Sequence, residues 1–175
     1  MAHVRHRTTK AGSLSTALVE SYRDDRGRPR QRTLANLYGA PDTMMALAKL
    51  AAQRERLKEE AGTLAPEVAK AEEIYAAITQ NTLAGAKYNA AERQEIDRLL
   101  RLRTLLLKRT RKIKADLDRI QKDGAIIKKH CTATDGEIQK AIRRYKKELK
   151  DAEAQVLGSE WFLKKAKSDL RQLSL

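Results

Sequence analysis

Five arginines, Arg23, Arg26, Arg28, Arg30 and Arg32, fall within ten residues, and Arg5, Arg7 and Lys10 lie just upstream. A guanidinium presents a planar fork of donors that suits phosphate oxygens and the guanine edge. On two facing strands, cross-strand neighbours sit about 5 Å apart, so like charges this dense are costly unless an anion lies against them. A two-stranded ribbon is narrow enough to enter a major groove. These eight cations are therefore expected to contact nucleic acid. The plainer alternative is a solvated edge, partly neutralised by the neighbouring Asp24 and Asp25.

A second set follows much later. Arg98 to Lys114 holds eight cations and no acid in 17 residues. With Ile96 and Leu99 at the apolar a and d positions of a heptad, Arg98, Arg101, Lys108, Arg111, Lys112, Arg119 and Lys122 fall on the outer face. On the next helical run Lys140, Arg143, Arg144, Lys147 and Lys150 do the same. A fold-back at Cys131–Thr134 brings Lys122 level with about Arg143, so the two stripes are expected to meet. Residues 119–150 carry 10 basic and 4 acidic residues, a repulsion more easily tolerated under a polyanion. An ordinary solvated coiled-coil face is the competing reading. A membrane surface is disfavoured because Trp161 and Phe162, the single Trp and the single Phe, lie outside the basic stripe. That pair is expected to pack on a neighbouring helix or on the hairpin.

Other reactive residue types form no recognisable site. His3-Val4-Arg5-His6 has an H-x-x-H spacing, but two imidazoles without a third ligand hold a metal weakly. Cys131 is the single cysteine and follows His130 at an expected helix end, where the helix dipole opposes a thiolate. Glycine-rich phosphate loops, Ser/His/Asp arrangements and metal-ligand spacings are absent from the sequence. A non-enzymatic protein without metal or cofactor is expected.

Composition points to the scaffold. The 175 residues include 37 Lys or Arg and 23 Asp or Glu, for a net charge of +14, with only seven aromatics. Residues 1–42 carry 8 basic and 4 acidic residues, and 90–150 carry 19 and 9, whereas 43–89 and 151–175 balance. The excess is thus confined to two blocks. Such a mix with a helical repeat indicates long helices or coiled coils rather than a sandwich or an α/β core. No run of about 18 apolar residues is present, so no insertion in a membrane is expected. The Arg/His-rich start lacks the apolar core of a secretory signal, and one cysteine fits a reducing compartment, so a cytoplasmic location is expected.

Two strand-like runs, Ser13 to Tyr22 and Gln31 to Leu37, flank a turn in which Gly27 can take a positive φ, which reads as a β-hairpin. A two-stranded hairpin is marginal alone and must pack on something or pair with a partner. Asp42 can cap a helix starting at Thr43. Helical periodicity then covers about 43–81, with Gly62 and Pro66 predicting two collinear helices or one kinked helix, restarted by Thr63 as N-cap. Asn89 with Glu92, and Thr134 with Glu137, have capping-box spacing and open helices over about 90–130 and 135–173. Ile138, Ile142, Tyr145, Leu149, Ala152 and Val156 begin the longest heptad run. Matched lengths and short connections favour antiparallel neighbours. The expected fold is mainly α: an elongated antiparallel helical bundle or coiled coil of about three long helices, with an N-terminal β-hairpin. Its organisation is a basic arm and hairpin over 1–42 and a long-helix domain over 43–175. The seams equally permit a homo-oligomer.

The stretch Leu18-Val19-Glu20-Ser21-Tyr22-Arg23-Asp24, followed by Gly27-Arg28-Pro29-Arg30-Gln31-Arg32-Thr33-Leu34-Ala35-Asn36-Leu37, resembles the N-terminal segment of DDE-type insertion-sequence transposases. The resemblance covers about residues 13–50. It implies a DNA-contact role for Arg23, Arg28, Arg30 and Arg32, and favours DNA over RNA as the partner. After Leu50 the sequence has no β-rich catalytic domain, and Asp97, Asp116, Asp118, Asp123 and Asp135 fall on or between helices, so transposase catalysis is not carried over. The sequence thus predicts a mobile-element-related, non-enzymatic DNA-binding protein. A coiled-coil adaptor acting through protein association is the alternative.

Overall fold

The computed structural model describes residues 2–8 and 14–173, and the side chains of these apart from Leu14 and residues 158–173. Three strands come first: β1 (Ala2–Thr8), β2 (Leu14–Arg23) and β3 (Pro29–Asn36). Three long helices follow: α1 (Thr43–Leu83), α2 (Ala90–Lys129) and α3 (Asp135–Leu173). The fold is mainly α with an N-terminal antiparallel sheet of order β1-β2-β3.

The expected hairpin is therefore two strands of a three-stranded sheet. The residues upstream of it, expected as a terminal arm, form β1, which pairs along β2 from Ala2↔Glu20 to Thr8↔Leu14. The third strand answers the marginal stability of a lone hairpin. Its period of two is weak but present, with Ala2 and Val4 half-buried and His3 and Arg5 exposed. On the other side of β2 the register slips by one between Leu18 and Val19, which pair with Ala35 and Thr33. Leu34 is the extra residue of this bulge. Such an insertion lets two successive residues share one side of the strand, here opposite Leu18.

Helix starts follow the capping chemistry. The Met45 N–H donates to Asp42 Oδ1 at 2.7 Å. Asn89 and Glu92 exchange bonds, the Glu92 N–H to Asn89 Oδ1 at 2.9 Å and the Asn89 N–H to Glu92 Oε2 at 2.8 Å. At α3 the Thr134 N–H and hydroxyl both donate to Glu137 Oε2 at 2.8 Å. Each arrangement satisfies amide groups that a helix N-terminus leaves without partners.

Of the two expectations around Pro66, two collinear helices are ruled out: α1 is one helix with Pro66 inside it. Thr63 does not cap a new helix. Its hydroxyl donates instead to the Glu60 carbonyl, at 2.9 Å. A proline removes one N–H and crowds the carbonyl four residues earlier, which here belongs to Gly62.

The chain divides into two compact units, one of residues 1–52 and 126–175, the other of residues 53–125. In the first, Thr16, Leu18, Val19 and Ala35 of the sheet are buried, with Leu37 and Ala40 of the link to α1. Ala46, Ala48, Leu50 and Ala52 of α1, Ile127 of α2, and Ile138 and Ala141 of α3 complete its buried set. The second unit is a helical hairpin in which α1 residues meet α2 in reverse order: Glu60 pairs with Arg109 and Glu72 with Arg103. Ile113 and Ile120 are its buried apolar side chains among the described residues. The side chains of Trp161 and Phe162 lie outside the described set.

Candidate nucleic-acid interface

Asp24 shapes the β2–β3 turn. Its Oδ1 accepts the Arg26 and Arg28 N–H groups at 3.0 and 2.9 Å, and its Oδ2 accepts from Arg30 Nε at 3.2 Å. The Arg28 amide first, and then the Arg30 side chain, hold its carboxyl below the usual range. Gly27 takes φ 73° and its N–H donates to the Asp24 carbonyl at 2.8 Å. A side chain at that φ would be strained, so glycine fits the turn that presents Arg26 and Arg28.

Strand register sorts the remaining arginines between the two faces of the sheet, because paired residues share a face and successive residues alternate. Arg32 pairs with Glu20 and Arg30 with Tyr22. They lie on the Leu18 side, and both are compensated. Arg32 Nη2 is 2.7 Å from Glu20 Oε2, and its guanidinium lies 5.7 Å from the Tyr22 ring centre. That hydrogen bond and the Arg32 charge lower the Glu20 pKa. Arg30 is held by Asp24.

The opposite face is different. Arg5 and Arg7 pair with Ala17 and Ser15, and Arg23 with Pro29, placing them with His3, Ser21, Gln31 and Thr33. All seven are exposed. The acceptors there are neutral: Arg5 Nη1 donates to Gln31 Oε1 at 3.2 Å and Arg23 Nη1 to the Gly27 carbonyl at 2.8 Å. His3 and His6 pair with Val19 and Thr16, an odd three positions apart on β2, so they point to opposite faces and cannot share a ligand. Among the described residues no cluster of His, Cys, Asp or Glu could hold a metal ion. Lys10 lies outside the described residues.

The helical cations also separate on pairing. In the helical hairpin, Arg98 and Arg119 have acidic partners within their own helix, Glu95 at 3.7 Å and Asp116 at 3.8 Å. Arg101, Lys108, Arg111, Lys112 and Lys122 are exposed and form no ion pair among the described residues. Two α2 arginines that the sequence reading left off the outer face serve instead as staples. Arg103 lies 3.9 Å over the Tyr75 ring and 3.0 Å from Glu72 Oε2. Arg109 binds Glu60, which holds the Glu60 carboxyl low and the Arg109 pKa above its ordinary value. Arg103 occupies an a/d position, and that placement is the signal in the sequence. In the other unit, Arg144 pairs with Glu148 at 2.8 Å, while Arg143 and Lys147 are exposed without such a partner among the described residues.

The helical hairpin also holds an apolar cavity of about 490 Å3, lined by Ile74, Ile78, Leu99, Leu102 and Leu106. Its polar rim is Glu67, Lys70 and Arg103. Among the described residues no helix is long and apolar enough to cross a membrane.

Residues 4–72 match the family model of the IS1634 family transposase N-terminal domain. That stretch takes in β1 from Val4 on, the whole of β2 and β3, and α1 past Pro66. The similarity therefore extends beyond residues 13–50 on both sides, and the arginines of the exposed face all lie within it. No curated protein and no solved structure matches the chain.

Proposed function

We propose that this is a mobile-element-related DNA-binding protein that performs no catalysis itself and contacts phosphates through two cationic surfaces. One is the N-terminal sheet with its turn, and the other is the outer face of α2. The observation that carries the reading is the exposed, acid-free arginine face within a stretch similar to a transposase N-terminal domain. Arg5, Arg7, Arg23, Arg26 and Arg28 supply the first surface, and Arg101, Lys108, Arg111 and Lys112 the second. Guanidiniums and ammoniums without acidic partners release condensed counterions when they replace them at phosphate. A polarisation titration with random-sequence duplex at two salt concentrations tests this. The expected result is binding whose log K falls with log salt by about 0.9 per phosphate contacted. Affinity indifferent to salt, or none at low salt, overturns it.

Leu102 and Leu105 favour a second reading, since they are 50% and 63% exposed on α2. Apolar side chains so placed suit association with another helix, as in an adaptor or oligomer. Light scattering that returns a stable oligomer, together with no duplex binding, would select this reading over the first.

A further inference from the structure

We infer that the sheet docks in the major groove of duplex DNA through the face bearing Arg5, Arg7, Ser21, Arg23, Gln31 and Thr33, and not through Arg30 and Arg32. This rests on the DNA-binding reading above and assigns it a surface and an orientation.

Three observations converge on that face. Its charge is uncompensated: Arg5 and Arg23 are held by an amide oxygen and a backbone carbonyl, and by register no Asp or Glu shares the face among the described residues. Neutral acceptors fix where a guanidinium points without cancelling its charge, so the face attracts a polyanion with its donors already oriented. The opposite face, by contrast, spends Arg30 and Arg32 on Asp24 and Glu20. It also carries Thr16, Leu18 and Ala35, none more than 4% exposed, whereas on the arginine face Val19 is the one buried side chain among the described residues, and its cross-strand neighbours His3 and Thr33 are exposed.

The third observation is the chemistry between the cations. Ser21, Gln31 and Thr33 lie along β2 and β3 with their side chains exposed. Hydroxyl and carboxamide groups are the ones that read base edges, the Gln amide pairing with adenine through both of its atoms. Arg5 occupies one lone pair of Gln31 Oε1 and leaves the amide N–H2 and the second lone pair for a base. Dimensions agree. Three strands about 4.8 Å apart span roughly 10 Å between the outer two, against a groove about 12 Å wide.

The test compares two variants that lose equal charge. Duplexes enriched from a randomised library, and a random duplex of the same length, serve as probes for the full chain. Arg5→Ala/Arg7→Ala is expected to lower the salt slope by roughly 1 to 2 and to weaken both probes alike. Arg30→Ala/Arg32→Ala is expected to change affinity less than about threefold, with circular dichroism confirming the fold. Gln31→Ala alters no charge. It should weaken the enriched duplex roughly ten- to a hundred-fold and the random duplex far less, through the loss of the amide that orients Arg5, while the salt slope stays unchanged because no charge is lost. Equal losses from the two arginine pairs, or an enriched duplex indifferent to Gln31→Ala, overturn the assignment while DNA binding stands. Tighter binding to the single strand than to the duplex overturns groove docking in the same way. Absence of binding to any duplex at low salt overturns the DNA-binding reading and this one together.

Discussion

The two units use the same residue types to opposite ends. In the sheet-containing unit, apolar side chains do the holding: Leu37, Ala40, Ala46, Ala48 and Ile127 are fully buried, and Leu18 and Val19 nearly so. In the helical hairpin of residues 53–125, two isoleucines are buried among the described residues, and two ion pairs, Glu72–Arg103 and Glu60–Arg109, cross from α1 to α2. Small residues explain part of the difference. The Ala-rich start of α1 lets backbones approach closely, whereas the hairpin carries long charged side chains whose stems cover its seam. Consequently an unpaired cation in the first unit stands on an apolar-cored platform, and one in the second stands on a thin-cored pair of helices.

Substitutions in matched positions probe that contrast. The largest effect is expected from Leu37→Ala, which empties a fully buried site and should cost about 2–5 kcal/mol. Its counterpart Leu102→Ala, at a half-exposed position, should cost under about 1 kcal/mol by the area removed from water. Urea titration of both variants checks the ratio, and similar losses would abolish the distinction. Next come the glycines at the two turns. Gly27 and Gly85 have φ of 73° and 81°, with nothing within 4 Å of an added Cβ. Gly27→Ala and Gly85→Ala should therefore each cost about 1 kcal/mol, from backbone strain alone. Unequal losses would mean that one turn is coupled to packing and the other is not.

Arg103→Ala comes third, removing the Tyr75 stack and the Glu72 pair for about 0.5–1 kcal/mol. Changing Arg103 to Lys should recover little, since an ammonium cannot stack as a planar guanidinium does. The smallest effect is expected from acid. Glu20 and Glu60 have folded pKa values lowered from 4.5 by their arginines, and Asp24 has one lowered from 3.8. A lowered carboxylate pKa contributes stability that is present above the unfolded value and lost as pH falls through the folded one. Melting temperature should thus hold from neutrality down to about pH 4.5 and decline below it. Because all three groups are half-buried and still reached by solvent, screening keeps the decline shallow, and added salt should flatten it further.

Much of the helical part was readable in the sequence because its signals are local. Asp42, Asn89 and Thr134 announce helix starts within four residues of themselves, and the apolar period needs no knowledge of partners. The hairpin was equally readable from Gly27 and its flanking runs. What escaped depended on distant residues. β1 has one aliphatic residue beyond Ala2, and its pairing is decided by β2 rather than by its own pattern. Pro66 carries an intrinsic cost of about 3 kcal/mol in a helix interior. Sequence alone could not weigh that cost against a helix of 41 residues. The division of arginines between two faces needed the register, and the register includes a bulge. Position counting alone marked all five hairpin arginines as equivalent.

The strand order gives these arginines one more consequence. With β2 in the middle, β1 and β3 are the outer strands of the sheet, and open strand edges invite pairing with the edge of another molecule. Arg5 and Arg7 stand on one outer strand, and Arg30 and Arg32 on the other. Two copies brought together along β1 would set the uncompensated Arg5 and Arg7 of one against those of the other, which opposes pairing at that edge. Arg30 and Arg32 on β3 are instead neutralised by Asp24 and Glu20. Neutralising Arg5 and Arg7 to study DNA also removes the protection of the β1 edge.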